Sequence, residues 1–253
     1  MIILYFPPFL SVSLTANIDE DEHDPGSLDL DESIGILNIG SFRTWTVAMT
    51  GHTQNSPGDD VITYNSSDIS NSQYKDKHHY YFFEGKLAFM DTNNEWFHDK
   101  SDNTLYVYPD YGDLSNRTIK GKTTDYSVTF SGAQYVTLKK INFFATTFEM
   151  IGNSDYNTVE ECNFYYPSAS KRMLGTTDGL GTPNVTELGS NADNNTIEKC
   201  LFENTEGEAL VIKGDTNTIK NNYFHHIDWS ASELQGLMVS IYCTGTSNIF
   251  QEN

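Results

Sequence analysis

The stretch NNTIEKCLFEN at 194–204 decides the fold, because close copies of it occur on either side. YNTVEECNFYY spans 156–166, TNTIKNNYFHH spans 216–226, and a looser copy, VTLKKINF, lies at 136–143. Such self-similarity is the signature of a repeat protein. In each copy an aliphatic residue is followed five positions later by phenylalanine, and the pairs are Leu138 and Phe143, Val159 and Phe164, Ile197 and Phe202, and Ile219 and Phe224.

The spacing and composition of the copies indicate a β-solenoid. Their aliphatic positions are 21, 38 and 22 residues apart, which gives a base period near 22 with one insertion. An apolar segment ending in glycine precedes three of the copies: FEMIGN, TELGSN and LVIKGD. Segments this short, rich in β-branched residues and interrupted by Gly and Asn, favour strands over a helical repeat. We therefore predict one coil of a parallel β-helix per copy, with equivalent residues stacked and the aliphatic and Phe side chains inside.

The cysteines and the end of the chain follow the same repeat. Cys162, Cys200 and Asn222 occupy one position of the coil, and we expect the cysteines to be buried thiols, although a disulfide between adjacent coils stays open. Three cysteines without CxxC or Cys/His spacing predict no structural zinc site. The final SNIFQEN matches the phrase again with Phe250 at the aliphatic position. We expect from this a β-helix that is truncated at its C-terminus.

Charge and the N-terminal segments exclude some classes of function. With 15 Lys and Arg against 35 Asp and Glu, the net charge of −20 repels a phosphate backbone, so nucleic acid is not an expected partner. The apolar start at 1–16 is too short for a comfortable membrane span and is interpreted as either a signal peptide or a strand. The segment 17–79 begins as an acidic linker whose oxygens make calcium a possible cofactor, but it lacks EF-hand spacing. Two strand-like pieces, IGILNIG and RTWTVAMTGH, make the rest of it β-rich and irregular.

A second segment, YYFFEGKLAFMDTNNEWFHDKSDNTLYVYP at 80–109, carries a family resemblance. Its last 16 residues predict a hairpin with a polar turn at 100–103. The segment resembles one that precedes the coils in carbohydrate-active right-handed parallel β-helix proteins of the pectate-lyase-like superfamily. The resemblance implies an all-β, right-handed parallel β-helix protein that is secreted or periplasmic, with a hairpin segment at 80–127 and coils at 128–253. The matching residues are Glu84, Leu87, Asp91, Glu95, Trp96, Asp99, Leu105, Tyr106, Tyr108 and Pro109.

Two long insertions mark the candidate site. Residues 165–185 follow Phe164 and residues 225–238 follow Phe224, whereas the coil between them continues with the short ENTEGEA at 203–209. Loops that leave one edge on either side of a short coil predict a groove about 10 Å wide, twice the strand spacing. The candidate catalytic residues are Glu206, Glu208, Asp228 and His226, and the candidate substrate-binding residues are Lys171, Arg172, Glu203, His225 and Trp229.

These residue types suit more than one reaction on a polysaccharide. A glycoside hydrolase would use Glu206 or Glu208 with Asp228 as paired carboxylates. A polysaccharide lyase would neutralise a uronate with Lys171 and Arg172 while a base such as His226 removes the C5 proton. A non-catalytic glycan-binding solenoid is the third alternative. Solvated glutamates and turn histidines are the structural interpretation of the same residues, no metal ligands are assigned, and the oligomeric state stays open.

Overall fold

A computed structural model describes residues 14–15, 29–40, 43–54, 60–64, 75–99, 101–109, 118–170, 184–229 and 239–253. Strands are the main regular structure of the described residues, and the one helical element among them is a short 3-10 turn at Leu87–Phe89. The start at 1–13 and most of the acidic run, 16–28, lie outside these ranges, and so do the predictions of a signal peptide and a calcium site.

The N-terminal part is a five-stranded antiparallel sheet with the order β1-β5-β2-β3-β4. Its core consists of Leu37 from β2 and of Trp45, Val47 and Met49 from β3, where alternate residues point to one face. The two strands predicted at IGILNIG and RTWTVAMTGH are confirmed, and β5 crosses the predicted boundary at 79. The strands are β1 Leu14–Thr15, β2 Ile34–Gly40, β3 Arg43–Gln54, β4 Asp60–Tyr64 and β5 Lys75–Glu84.

The hairpin predicted from the aromatic segment is confirmed. Strand β6, Trp96–Asp99, pairs antiparallel with β7, Thr104–Val107. Asp99 Oδ1 accepts hydrogen bonds from the backbone N–H of Ser101 at 2.8 Å and from its hydroxyl at 2.7 Å, which closes the turn. Asn103 takes the left-handed conformation with φ of 60°, one that asparagine tolerates better than most residues.

The remaining strands form the predicted parallel β-solenoid. Three parallel sheets run along it: the first contains β8, β11, β14, β17 and β20, the second β9, β12, β15, β18 and β21, and the third β10, β13, β16 and β19. The strands are β8 Tyr126–Ser131, β9 Thr137–Lys139, β10 Asn142–Phe144, β11 Thr147–Ile151, β12 Thr158–Glu160, β13 Asn163–Tyr165, β14 Thr186–Leu188, β15 Thr196–Glu198, β16 Leu201–Glu203, β17 Leu210–Ile212, β18 Thr218–Lys220, β19 Tyr223–His225, β20 Ile241–Cys243 and β21 Ile249–Gln251.

The register between coils is the one the repeat predicts. In the second sheet Val159 pairs with Leu138 and with Ile197, and Ile219 pairs with Ile197 and with Phe250. The phenylalanines of the third sheet stack in the same order, and their rings fill the interior of the solenoid. Their ring centroids are 4.7, 4.9 and 5.3 Å apart for the pairs Phe143–Phe164, Phe164–Phe202 and Phe202–Phe224.

The two cysteines of the repeat are buried free thiols, as the sequence predicts. Cys162 and Cys200 lie in the core, whereas Cys243 is exposed. The neighbouring Cys162 thiol, together with burial, raises the pKa of the Cys200 thiol, so it stays protonated. The backbone N–H of Cys200 donates to Asn222 Oδ1 at 2.9 Å, which places Asn222 on the cysteine position of the next coil.

Candidate functional site

The candidate site lies where the strands of the third sheet end. Tyr166, Asn204 and His226 follow β13, β16 and β19, and each takes the left-handed conformation, with φ of 51°, 56° and 50°. The same backbone turn on three successive coils sends the chain out of the sheet in the same way. We call this set of corners, residues 165–170, 203–208 and 225–229, the insertion edge. The two insertions therefore leave from equivalent positions of their coils, and the short segment lies between them.

Most of the predicted site residues belong to this edge. Lys171 and Arg172, with the rest of the two insertions, lie outside the described residues, so the walls of the groove and its width stay predictions. The described candidates at the insertion edge are Glu203, Glu206, Glu208, His225, His226, Asp228 and Trp229.

Asp228 is tied to the coil before it. Its Oδ1 accepts a hydrogen bond from the Gly207 N–H at 3.2 Å, and its own N–H donates to Thr205 Oγ1 at 3.2 Å. Gly207 has φ of 70°, a conformation that costs glycine little. Only 5% of Asp228 is exposed. The carboxylate is thus fixed beside the backbone that joins Glu206 to Glu208.

Glu206 differs from its predicted place on an open groove floor, because it is only 7% exposed. Its backbone N–H donates to Ser168 Oγ at 2.9 Å, and Ser168 Oγ donates to the Glu206 carbonyl oxygen at 2.8 Å. Ser168 belongs to the coil before, and this paired contact draws the two coils together at Glu206. Glu203 and Glu208 are half-buried, nearer to what the sequence predicted.

The histidines lie against the polar side chains of the preceding coil. His225 Nδ1 is 3.2 Å from Glu203 Oε1, and His226 Nδ1 is 3.1 Å from Asn204 Oδ1. The two imidazole rings stack with centroids 3.8 Å apart and planes inclined by 26°. One ligand atom from each of Glu203, His225 and His226 lies within 4.8 Å of the others, which is a grouping able to bind a metal ion.

Sequence reasoning separated these three residues and assigned no metal to them. The signal was nevertheless present, because Glu203 and His225 are each the first residue after a stacked phenylalanine. In-register stacking of the coils then requires them to be neighbours.

An aromatic pair completes the edge. Trp229 meets the ring of Tyr166 edge-on, with centroids 6.1 Å apart and planes at 81°. Its backbone N–H donates to the Thr205 carbonyl oxygen at 3.0 Å, which holds Trp229 beside the middle coil.

The described residues of the insertion edge are acidic. They include four carboxyl groups and two histidines and, within 165–170, 203–208 and 225–229, neither Lys nor Arg. The cation Lys122 contacts this edge, where its Nζ donates to the Pro167 carbonyl oxygen at 3.0 Å. Other lysines pair with glutamates on the second sheet, as Lys139 does with Glu160 at 2.9 Å and Lys220 with Glu198 at 2.9 Å.

With this geometry the protein belongs to the class of parallel β-solenoids with a polar, acidic corner between loop insertions. A comparison with solved structures found a chain titled "Glycoside hydrolase" with a TM-score of 0.50 and 12% sequence identity, covering 81% of this chain and 46% of that chain. The protein therefore spans about half the length of that structure, and the likeness is one of fold. No protein-family profile and no curated protein matches the sequence.

Within the described ranges the only helical element is the 3-10 turn at Leu87–Phe89. Among the residues that the structure describes, none forms a helix with the length and apolar character needed to cross a lipid bilayer.

Proposed function

We propose that the protein acts on a polysaccharide and hydrolyses its glycosidic bonds at the insertion edge, outside the cell or in the periplasm. The observation that carries this proposal is the burial of two carboxyl residues, Glu206 and Asp228, on adjacent coils at one corner of the solenoid. Burial of a carboxyl group costs free energy, so carboxyl groups are seldom buried unless they are paired or hydrogen-bonded. Most glycoside hydrolases use two carboxyl groups as their catalytic groups. The fold shared with a chain titled "Glycoside hydrolase" supports the same class.

The surroundings of the two carboxyl groups suggest separate roles. The Gly207 N–H donated to Asp228 Oδ1 stabilises the ionised carboxylate, which suits a nucleophile or base. Glu206 is nearly as buried as Asp228, and its contact with Ser168 runs through its backbone, so we assign it the other role, that of the general acid. Glu206 and Asp228 are 22 residues apart, one period of the coil. Stacked coils are about 5 Å apart, close to the carboxyl separation of enzymes that retain the anomeric configuration.

The remaining candidates surround this pair as substrate contacts. Trp229 with Tyr166 offers aromatic surface on which a sugar ring can stack. Hydrogen bonds to sugar hydroxyls can come from Glu203, Glu208 and His225. The sequence also predicts Lys171 and Arg172 as substrate-binding residues. The acidic character of the edge favours a neutral glycan over a polyuronate, because like charges repel.

The experiment is digestion of a panel of neutral and uronate polysaccharides, followed by assay of new reducing ends and of the ultraviolet absorbance of unsaturated uronates. We expect reducing ends without that absorbance. Asp228→Asn and Glu206→Gln should each lower the rate about 100-fold or more, the usual effect of removing a general acid or base. Both substitutions keep the size of the side chain, and the amide oxygen introduced by Asp228→Asn can still accept the Gly207 N–H, so the fold should persist.

The matched control is Glu187→Gln. Glu187 lies on the first sheet, where its carboxylate pairs with Lys213 at 2.7 Å, and its loss should leave the rate within about twofold. Reducing ends accompanied by the absorbance would identify a lyase, for which His226 is the candidate base. Binding to a polysaccharide without new ends would identify a glycan-binding solenoid. Either result, or full activity in both carboxyl variants, would overturn the hydrolase proposal.

A further inference from the structure

Glu203 and His225, assigned above as substrate contacts, form a cluster with His226 whose metal-ligand chemistry the two catalytic carboxyl groups do not require. Two imidazoles and one carboxylate converge within 4.8 Å on the outer side of the third sheet. They come from two adjacent strand ends, because Glu203 closes β16 and His225 closes its parallel neighbour β19. The backbone therefore fixes two of the three side chains next to each other whatever occupies the site.

The hydrogen bond of His226 determines which ring nitrogen is available. The Oδ1 atom of Asn204 is an acceptor, so at 3.1 Å it holds the proton on Nδ1 of His226. The lone pair is then on Nε2, the atom that can bind a metal. A ligating histidine whose other nitrogen is held by a neighbouring acceptor is the usual arrangement in protein metal sites.

We propose that Glu203, His225 and His226 bind one divalent transition-metal ion, and that this ion is Zn²⁺. Two histidines and one glutamate are a ligand set found in zinc enzymes, where a fourth position stays open to water or substrate. Calcium and magnesium prefer sites made of oxygen ligands and are disfavoured by the two imidazoles. Asn204 is the positioning residue that orients His226.

The distances require only a modest adjustment on binding. Ligand atoms of a tetrahedral zinc site, with bonds near 2.1 Å, are about 3.4 Å apart. The His225 Nδ1 to Glu203 Oε1 distance of 3.2 Å is already of that size. A separation at the wider limit of 4.8 Å must shorten by about 1.4 Å to reach the tetrahedral value, and the exposed side chain of His226 is free to move by that amount.

The proposal is tested by calorimetric titration of the full chain, free of any polyhistidine tag, with Zn²⁺ alone and in competition with a chromophoric chelator. We expect one equivalent of zinc to bind. Glu203→Gln, His225→Ala and His226→Ala should each weaken binding at least tenfold, and Asn204→Ala should weaken it less. Replacement of zinc by Co²⁺ should give the visible absorption bands of a tetrahedral or five-coordinate site, and these bands should be lost in His225→Ala.

His98→Ala is the matched control, because His98 also faces an asparagine oxygen, with Nε2 2.9 Å from Asn103 Oδ1, but lies in the hairpin away from the cluster. This variant should bind zinc as the parent does. Thermal unfolding without metal should be unchanged in Glu203→Gln, so that a loss of binding is not a loss of fold. The absence of stoichiometric binding to the parent chain, or equal binding by Glu203→Gln and the parent, would overturn the proposal. Because no glycan is present, the outcome is independent of the proposed hydrolysis.

Discussion

Asn195 illustrates, at the scale of one residue, why the Asn-Thr pair recurs in the repeat. Its Oδ1 accepts the Asn157 N–H at 2.8 Å, and its Nδ2 donates to the Ser154 carbonyl oxygen at 2.9 Å. Asn217 repeats the first contact one coil later, where its Oδ1 accepts the Asn195 N–H at 2.8 Å. These side chains supply partners for backbone groups that the turn between the first and second sheets removes from the ladders. Each asparagine thereby ties its coil to the one before.

We therefore predict that Asn195→Ala is strongly destabilising. The change leaves the Asn157 N–H and the Ser154 carbonyl oxygen without their partner in the interior, at about 1–3 kcal/mol for each unsatisfied group. The free energy of unfolding, measured in urea, should fall by roughly 2–6 kcal/mol.

Asn163→Ala is the control for this change. Asn163 also bonds to an asparagine of the adjacent coil, with Nδ2 2.7 Å from Asn142 Oδ1, but the pair is exposed. Water replaces its partner, so the loss should stay within about 0.5 kcal/mol. Equal urea midpoints for the two variants would refute the structural role of the buried asparagines.

At the scale of the element, the third sheet is held by its phenylalanine stack. Phe164 and Phe202 are fully buried, and each ring lies nearly parallel to the next. A parallel sheet places identical positions one above another, so one aromatic residue per strand yields a continuous column. The column also fixes where each strand ends, which in turn fixes the insertion edge.

Removal of a ring from the middle of the column should cost the most. Phe202→Ala leaves a cavity between two neighbouring rings and should lower the free energy of unfolding by about 3–5 kcal/mol. Phe250→Ala, in the described strand β21, removes a ring that is already 46% exposed and should cost far less. Chemical denaturation of both variants is the measurement, and a Phe250→Ala variant as unstable as Phe202→Ala would contradict the account.

At the scale of the whole molecule, the described residues contain two separate hydrophobic cores. One lies inside the solenoid and includes Phe164, Ile197 and Ile219. The other lies in the N-terminal sheet and includes Trp45, Val47 and Met49. Cooperative units of a protein tend to follow such packed clusters, so the two parts should open independently.

This independence predicts a local response to Val47→Ala. The substitution removes two buried methyl groups from the N-terminal core and should speed amide hydrogen exchange in β2, β3 and β5. Exchange in β15 and β18 of the solenoid should stay at the parent rate, as followed by mass spectrometry of peptides. Ile197→Val is the reciprocal variant, and it should speed exchange in the solenoid alone. A uniform increase over the whole chain in either variant would show that the cores unfold together.

The sequence could predict the neighbours only of those site residues whose positions can be counted from the stacked phenylalanines of the repeat. Counting from the stacked phenylalanines places Glu203 below His225 and Asn204 below His226, and the structure has them so. The burial of Glu206 was not predictable in this way. It accompanies a contact between its backbone and Ser168, which lies at the equivalent position of the coil before, and the position in the coil alone does not determine whether a corner side chain is enclosed.

The sequence by itself determined the coil, its period and the register of its ladders, because stacked strands require the same kind of residue at the same position in every turn. It also predicted the aromatic hairpin before the coils and favoured buried thiols over a disulfide for Cys162 and Cys200, and the structure has both features. Only the tertiary structure decided which carboxyl groups of the insertion edge are enclosed and that a ring nitrogen of His226 lies near Glu203 and His225. Those properties depend on how the corner side chains pack against the neighbouring coil, and the repeat of strand positions does not encode that packing.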